Sequence, residues 1–284
     1  MYPEFIGPGR WRVLWRHSGV CPAGFFYVDA MKGTLLIVNA DDLGATVPVN
    51  DATFSLMDRG LVTSATILAN GVAFRDAAAR QKNYPRCSFG VHLNLTVFPP
   101  LHPTPGLAPI LDGAGHMSKE RLDSVRWTPS LCRAMYVELS AQVERCLEAG
   151  VMVSHFDSHH HTHTIPWLLP VLNGLRRRFG VSKMRGTINI LPVEYMESRR
   201  MIKKALYGFL MRTVVRARTP EGMASFIDFY ARIEKRMGFD WRSIELMVHP
   251  GATSPHGLYE EVLLQKDWLS QLPFPARLGT YFDL

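Results

Sequence analysis

From Thr34 onward, short runs rich in apolar and β-branched residues alternate with segments of helical period. The runs TLLIVNA, VTSATILAN, SFGVHLNL, VSHFDSH, KMRGTIN, IELMVHPG and LGTYFDL predict strands. Between them VNDATFSLMDRG, FRDAAARQKNY, LCRAMYVELSAQVERCLEAG, IPWLLPVLNGLRRRFG and MIKKALYGFLMRTVVRA predict helices. The first of these helices closes at Gly60, a residue type common just past a helix end. In the longest, Leu131, Met135, Leu139, Val143 and Leu147 recur every four residues, so one apolar face is expected to pack on the sheet.

Strand and crossover helix in alternation signal a parallel sheet. Roughly seven such units close into a TIM-like (β/α) barrel, seven-stranded or distorted, or wind as an open sheet; the polar residues at the strand ends favour the barrel. One domain is expected over residues 31–284. The stretch Val97 to Thr128, long and rich in Pro and Gly, reads as an excursion that covers the strand ends. Residues 1–30 show no clear period and read as a leader or an over-extended start, poorly ordered. A secretory signal would need a cleaner apolar run than GVCPAGFFYV, so a cytoplasmic location is expected.

Composition narrows the classes. With 47% hydrophobic and 20% charged residues among 284, the chain is of ordinary globular type, which excludes disorder and collagen. No stretch approaches the roughly 18 apolar residues of a membrane helix. A net charge of +7 favours anionic partners without naming one, and nucleic acid is not expected. The four cysteines, Cys21, Cys87, Cys132 and Cys146, form no CxxC pair, so neither a zinc ribbon nor a disulfide framework is indicated, and they read as reduced and mostly buried.

A basic segment carries Arg199, Arg200, Lys203, Lys204, Arg212, Arg216 and Arg218, with Ile202, Leu206, Phe209 and Leu210 on another side. Such a helix can lie on an anionic bilayer. The preferred reading is a solvated face of a barrel helix, with peripheral membrane contact the lesser one. Homo-oligomerisation stays open.

Four apolar strands end in ionisable residues: Asp41 and Asp42, His92, Asp157 and His159, and His249. In a barrel those ends share one mouth. Six of the eleven histidines lie at His92 or between His155 and His163. In SHFDSHHHTH, extended backbone would project His155, Asp157, His159, His161 and His163 to one side, and five such groups are expected to face water, a cation or each other. Read blandly, the tract is a surface feature with adventitious metal affinity. Adjacent acids after a strand can simply cap the next helix. A carboxylate joined by two imidazoles also suits a divalent ion with open positions, two imidazoles leaning toward zinc. His249 can shape a turn before Pro250 or serve as a general acid, its ordinary pKa being close to working pH.

NADDLG, GVHLNLT, FDSHHHTH and ELMVHPG, in this order, resemble the YdjC-like carbohydrate deacetylases, which include the chitooligosaccharide deacetylases. The resemblance runs from about Thr34 to the last residues, with Leu43 where the family often has Phe. It implies a TIM-like barrel and metal-dependent removal of acetyl from an N-acetylated amino sugar. Motif for motif, it implies Asp42, His92 and His159 as metal ligands, Asp41 as catalytic base and His249 as a candidate acid. It implies magnesium as the metal, against the imidazole argument for zinc. Arg185 could orient a carboxylate or substrate, or form a structural salt bridge. Two other readings compete: a metal-dependent phosphoesterase, which would want ligands for more ions, and a non-enzymatic basic metal- or nucleic-acid-binding protein.

Overall fold

The computed structural model describes residues 2–7, 10–14, 33–188, 198–236 and 241–284. The chain divides into two compact units, Met1–Met31 and Lys32–Leu284. In the first, β1 (Tyr2–Gly7) pairs antiparallel with β2 (Arg10–Leu14). Cys21 lies outside the described residues.

The second unit is a parallel α/β fold. Its strands are β3 (Thr34–Leu43), β4 (Ser64–Ile67), β5 (Ser88–Leu93), β6 (Val153–Ser158), β7 (Gly222–Ser225), β8 (Ser243–Val248) and β9 (Ala276–Leu278). They form a seven-stranded sheet in the order β6-β5-β4-β3-β8-β7, with β9 beside the start of β3. Every strand pair in it is parallel. Backbone bonds continue from Phe156 of β6 to Lys183 and Arg185, from Met184 to Arg218, and from Ile188 to Met223 of β7. This path links the two edge strands, as a distorted closed barrel requires.

The predicted run KMRGTIN therefore supplies single bridges rather than a full strand. The sequence reading missed β7, whose four residues GMAS carry too little pattern to register. LGTYFDL is a strand only at its first residue, after which the chain turns so that Tyr281 is buried.

Strand side chains alternate up to the irregularity at the end of β3. Leu36, Val38, Ala65, Ile67, Phe89, Val91, Phe156, Ile244 and Leu246 are buried in the main core with the helices. Leu35 and Ile37 instead pack with Tyr281 in a small second cluster. On that same parity lie Asn39, Asp41, Thr66, His92, His155, Asp157 and Glu245, all buried. The sheet thus turns an apolar face to the helices and encloses a largely polar interior.

The helices are α1 (Val47–Asp58), α2 (Phe74–Arg80), α3 (Lys119–Ser124), α4 (Pro129–Glu148), α5 (Leu169–Phe179), α6 (Ser198–Thr213), α7 (Phe226–Glu234) and α8 (Pro255–Leu264). The hydroxyl of Thr46 caps α1, so neither Asp41 nor Asp42 does. Thr128 and Pro129 start α4 in the favoured cap-then-proline order. Leu131, Met135, Leu139 and Val143 of α4 are buried as predicted, but Leu147 is exposed and Cys146 takes the inner position one residue earlier, because a strict four-residue step drifts off a 3.6-residue turn. Cys87 and Cys132 are free and half-buried.

The excursion between Val97 and Thr128 holds a short 3-10 turn at Pro105–Ile110 and α3. It is tied down from α4. The buried Glu138 carboxylate accepts from the backbone N–H of Leu101 at 3.0 Å and of His102 at 2.7 Å.

Candidate metal centre

β3 carries two acids past its apolar run, and the backbone separates their tasks. The pairing with β4 slips by one residue between Ala40 and Leu43, and Asp42 has φ 64 in the left-handed region. Asp42 Oδ1 is 2.8 Å from His159 Nδ1 and 3.2 Å from His92 Nε2. One ligand atom from each of Asp42, His92 and His159 lies within 4.8 Å of the others. Burial opposes ionisation of Asp42, but its bonds to His159 and His92 outweigh it and hold the carboxyl well below the usual carboxylate range.

His92 is oriented from behind. Its Nδ1 is 2.7 Å from Asp157 Oδ1, and Thr66 Oγ1 donates to Asp157 Oδ2 at 2.9 Å. A carboxylate on Nδ1 keeps the proton there and leaves the Nε2 lone pair for the mouth, the arrangement found behind metal-bound imidazoles. Without a cation, burial disfavours the imidazolium, yet the Asp157, Asp42 and Asp41 carboxylates push His92 up to about 10. A divalent ion between Asp42 and the two rings would do what that second proton does, so the donor set fits one.

Arg185 occupies the interior below. Its Nη1 donates to Asp41 Oδ2 at 2.7 Å and its Nη2 to Asp41 Oδ1 at 2.5 Å. Nη2 also lies 2.9 Å from Asp157 Oδ2, and Nε donates to Glu245 Oε1 at 2.9 Å. Tyr281 OH closes the network by donating to Glu245 Oε2 at 2.6 Å. Burial works against the ionised Asp41, but Arg185 prevails and lowers it. For Glu245 burial prevails and raises it. The second acid–imidazole group, Asp41, His92 and Asp157, already has its cation in this guanidinium, which leaves the Asp42 group as the candidate metal position.

The histidine tract departs from expectation. The strand ends at Ser158, and residues His159–Thr164 form a 3-10 turn with left-handed His160 and His161. The two-residue alternation therefore stops, and only His159 reaches Asp42. His155 is buried, stacked on Tyr281 with ring centroids 3.5 Å apart and bonded to Ser154 Oγ at 2.8 Å. Gly90 makes the room, since a Cβ there would stand 2.6 Å from the His155 ring. Burial drives the His155 and His163 imidazoles down to about 3, so both stay neutral. A neutral ring with a hydroxyl partner is tolerated inside, where five charged or unpaired ones would not be.

His249 sits just past β8, with Nδ1 3.4 Å from Glu260 Oε2. Burial opposes its protonated form, but Glu260, and to a lesser degree Asp41 and Asp42, raise it above the ordinary value. Asn39, Thr66, Glu245 and Tyr281 were not singled out from the sequence. The first three carried a signal: each is a polar residue at every second place of an apolar strand. Tyr281 had none.

A parallel α/β frame with its carboxylates and imidazoles at the carboxyl ends of the strands defines a class, that of (β/α) proteins whose site lies on that face. The YdjC-like protein family matches over residues 35–272, and the chain belongs to it. It is 29% identical over 259 residues to a carbohydrate deacetylase of Brevibacillus brevis, an alignment covering 88% of this chain and 92% of that one. A carbohydrate deacetylase of Halalkalibacterium halodurans is 30% identical over 218 residues, covering 76% and 84%. One from Vibrio campbellii reaches 36% over 152 residues, covering 54% and 59%. In fold, the chain is similar to the crystal structure of an Enterococcus faecalis protein described as a cellobiose-phosphate cleavage protein, with TM-score 0.69, 22% identity, and coverage of 88% of this chain and 98% of that one.

Proposed function

We propose that this chain is a divalent-metal-dependent hydrolase that removes the acetyl group from an N-acetylated amino sugar or oligosaccharide. The observation that carries the reading is Asp42 Oδ1 standing between His159 Nδ1 and His92 Nε2, with His92 fixed from behind by Asp157. Asp42, His92 and His159 would hold the ion. When bound, it supplies Lewis acidity to the amide carbonyl and to the attacking water.

The remaining work falls to the chain. Asp41 is the base: its Oδ1 already accepts from Arg185 and from Asn39 Nδ2 at 2.9 Å, whereas among the described residues Oδ2 accepts from Arg185 alone and keeps a lone pair for the water proton. Arg185 holds that carboxylate ionised and ready. His249, biased toward its protonated form by Glu260, is the acid that donates to the departing amine, because an amide anion is a very poor leaving group. The excursion between Val97 and Thr128, fixed by Glu138, selects the sugar. The resemblance implies magnesium, and the two nitrogen donors keep zinc open.

The test is acetate release from a panel of N-acetylated sugars with added divalent ions, by the native protein and by Asp41→Asn. The variant is expected to keep its ion and lose turnover. Normal hydrolysis by Asp41→Asn would remove Asp41 from its role, and no release from any sugar by the native protein would remove the deacetylase reading.

A further inference from the structure

A surface helix ordinarily turns its apolar stripe inward and its charges to water. On α6 there are two stripes. Tyr207, Met211 and Val215 just beyond its end are buried, while Ile202, Leu206 and Phe209 are 67%, 58% and 55% exposed. At about 100° per residue the exposed three fall within a wedge of roughly 60° facing away from Met211. Exposed Lys203 and Arg212 flank that wedge on either side. Residues 198–220 contain seven Lys or Arg and no Asp or Glu. Three of the four apolar residues picked out from the sequence therefore face outward, and Leu210 beside them is half-buried.

The same helix leans on the candidate site. Tyr207 OH donates to the carbonyl of His163 at 2.7 Å, and Thr187 Oγ1 donates to the carbonyl of Lys204 at 3.1 Å. His163 belongs to the turn that begins at His159.

We propose that the outer face of α6 seats the protein on an anionic lipid bilayer. An apolar stripe bordered by cations on both sides is the pattern of a helix lying in the interfacial plane. Charge decides against a second copy as the occupant, since two such faces would bring cation to cation with no carboxylate on the helix to pair them. No helix among the described residues is long and apolar enough to cross a membrane, so the contact is peripheral. Together with the deacetylase reading, on which this step alone rests, the docked site would meet an acetylated amino sugar carried by a membrane lipid.

Sedimentation of the full chain with vesicles tests the docking without reference to activity. The native protein is expected to pellet with phosphatidylcholine vesicles containing phosphatidylglycerol and to stay in solution with phosphatidylcholine alone. Leu206→Glu/Phe209→Glu should abolish pelleting. Lys203→Gln/Arg212→Gln should weaken it roughly fivefold per cation removed. Circular dichroism verifies that these exposed substitutions leave the fold intact. Equal pelleting with both vesicle types, no pelleting at all, or native-like binding by the variants overturns the proposal. So does a dimer in analytical ultracentrifugation that Leu206→Glu/Phe209→Glu dissociates, which would assign the face to a second copy.

Discussion

The Asp157 carboxylate fixes the His92 ring: Oδ1 accepts a hydrogen bond from Nδ1–H at 2.7 Å, and that bond decides which nitrogen faces Asp42. Asp157→Asn removes the charge that sets this tautomer. Divalent-ion affinity is expected to fall about 10–100-fold, as for other partners standing behind a metal-bound histidine. Isothermal titration with the folded variant measures it, and native-like affinity would show that Asp157 serves only Arg185.

Arg185 answers three buried carboxylates, Asp41, Asp157 and Glu245. Arg185→Met leaves them facing one another without their cation, and a loss of about 3–5 kcal/mol is expected. Urea unfolding gives the number; a loss under about 1 kcal/mol, the scale of an exposed pair, would show that the network does not depend on this guanidinium.

Acid sensitivity follows from the buried neutral rings. His155 and His163 hold folded values of about 3, below the ordinary histidine value. Between about pH 6.5 and 3 the unfolded chain binds two protons that the folded chain refuses, so stability falls as pH falls, by up to roughly 2.7 kcal/mol per pH unit where both rings count fully. Above about pH 6.5 these two rings contribute no slope. Burial also drives His161 down to about 4, so it adds a third ring to the same limb. His163→Gln should flatten the stretch between pH 6 and 4.5 by up to about a third in denaturant titrations at stepped pH. An unchanged limb would mean that the ring is protonated in the folded state.

Chelation supplies a count. Protein treated with a chelator should lose acetate-releasing activity and recover it with one divalent ion per chain, because Arg185 already fills the second acid–imidazole group. Metal analysis after gel filtration measures the ratio. Two or three bound ions would favour phosphoesterase chemistry, and His159→Ala should bind none tightly.

The sequence made the parallel α/β plan legible because β5 and most of β8 alternate apolar and polar residues and the helices between the strands have strong periods. β7 stayed hidden because four residues cannot display a period. Asp42, His92 and His159 were visible as strand-end chemistry, and the structure brings them within 4.8 Å. The rest of the tract was misjudged at one point. The left-handed backbone of His160 and His161 ends the alternation, and nothing in a run of histidines announces it. The interior partners needed tertiary structure, since Arg185 joins Asp41 across 144 residues and Tyr281 reaches Glu245 across 36.

In a regular strand, neighbouring side chains leave by opposite faces. Asp41 and Asp42 both reach the His92 network only because the one-residue slip against β4 and the left-handed turn at Asp42 intervene. Transplanting the two acids and two imidazoles onto an unkinked strand of another scaffold would consequently send one acid outward among the helices. The portable unit is the distorted strand end together with its residues.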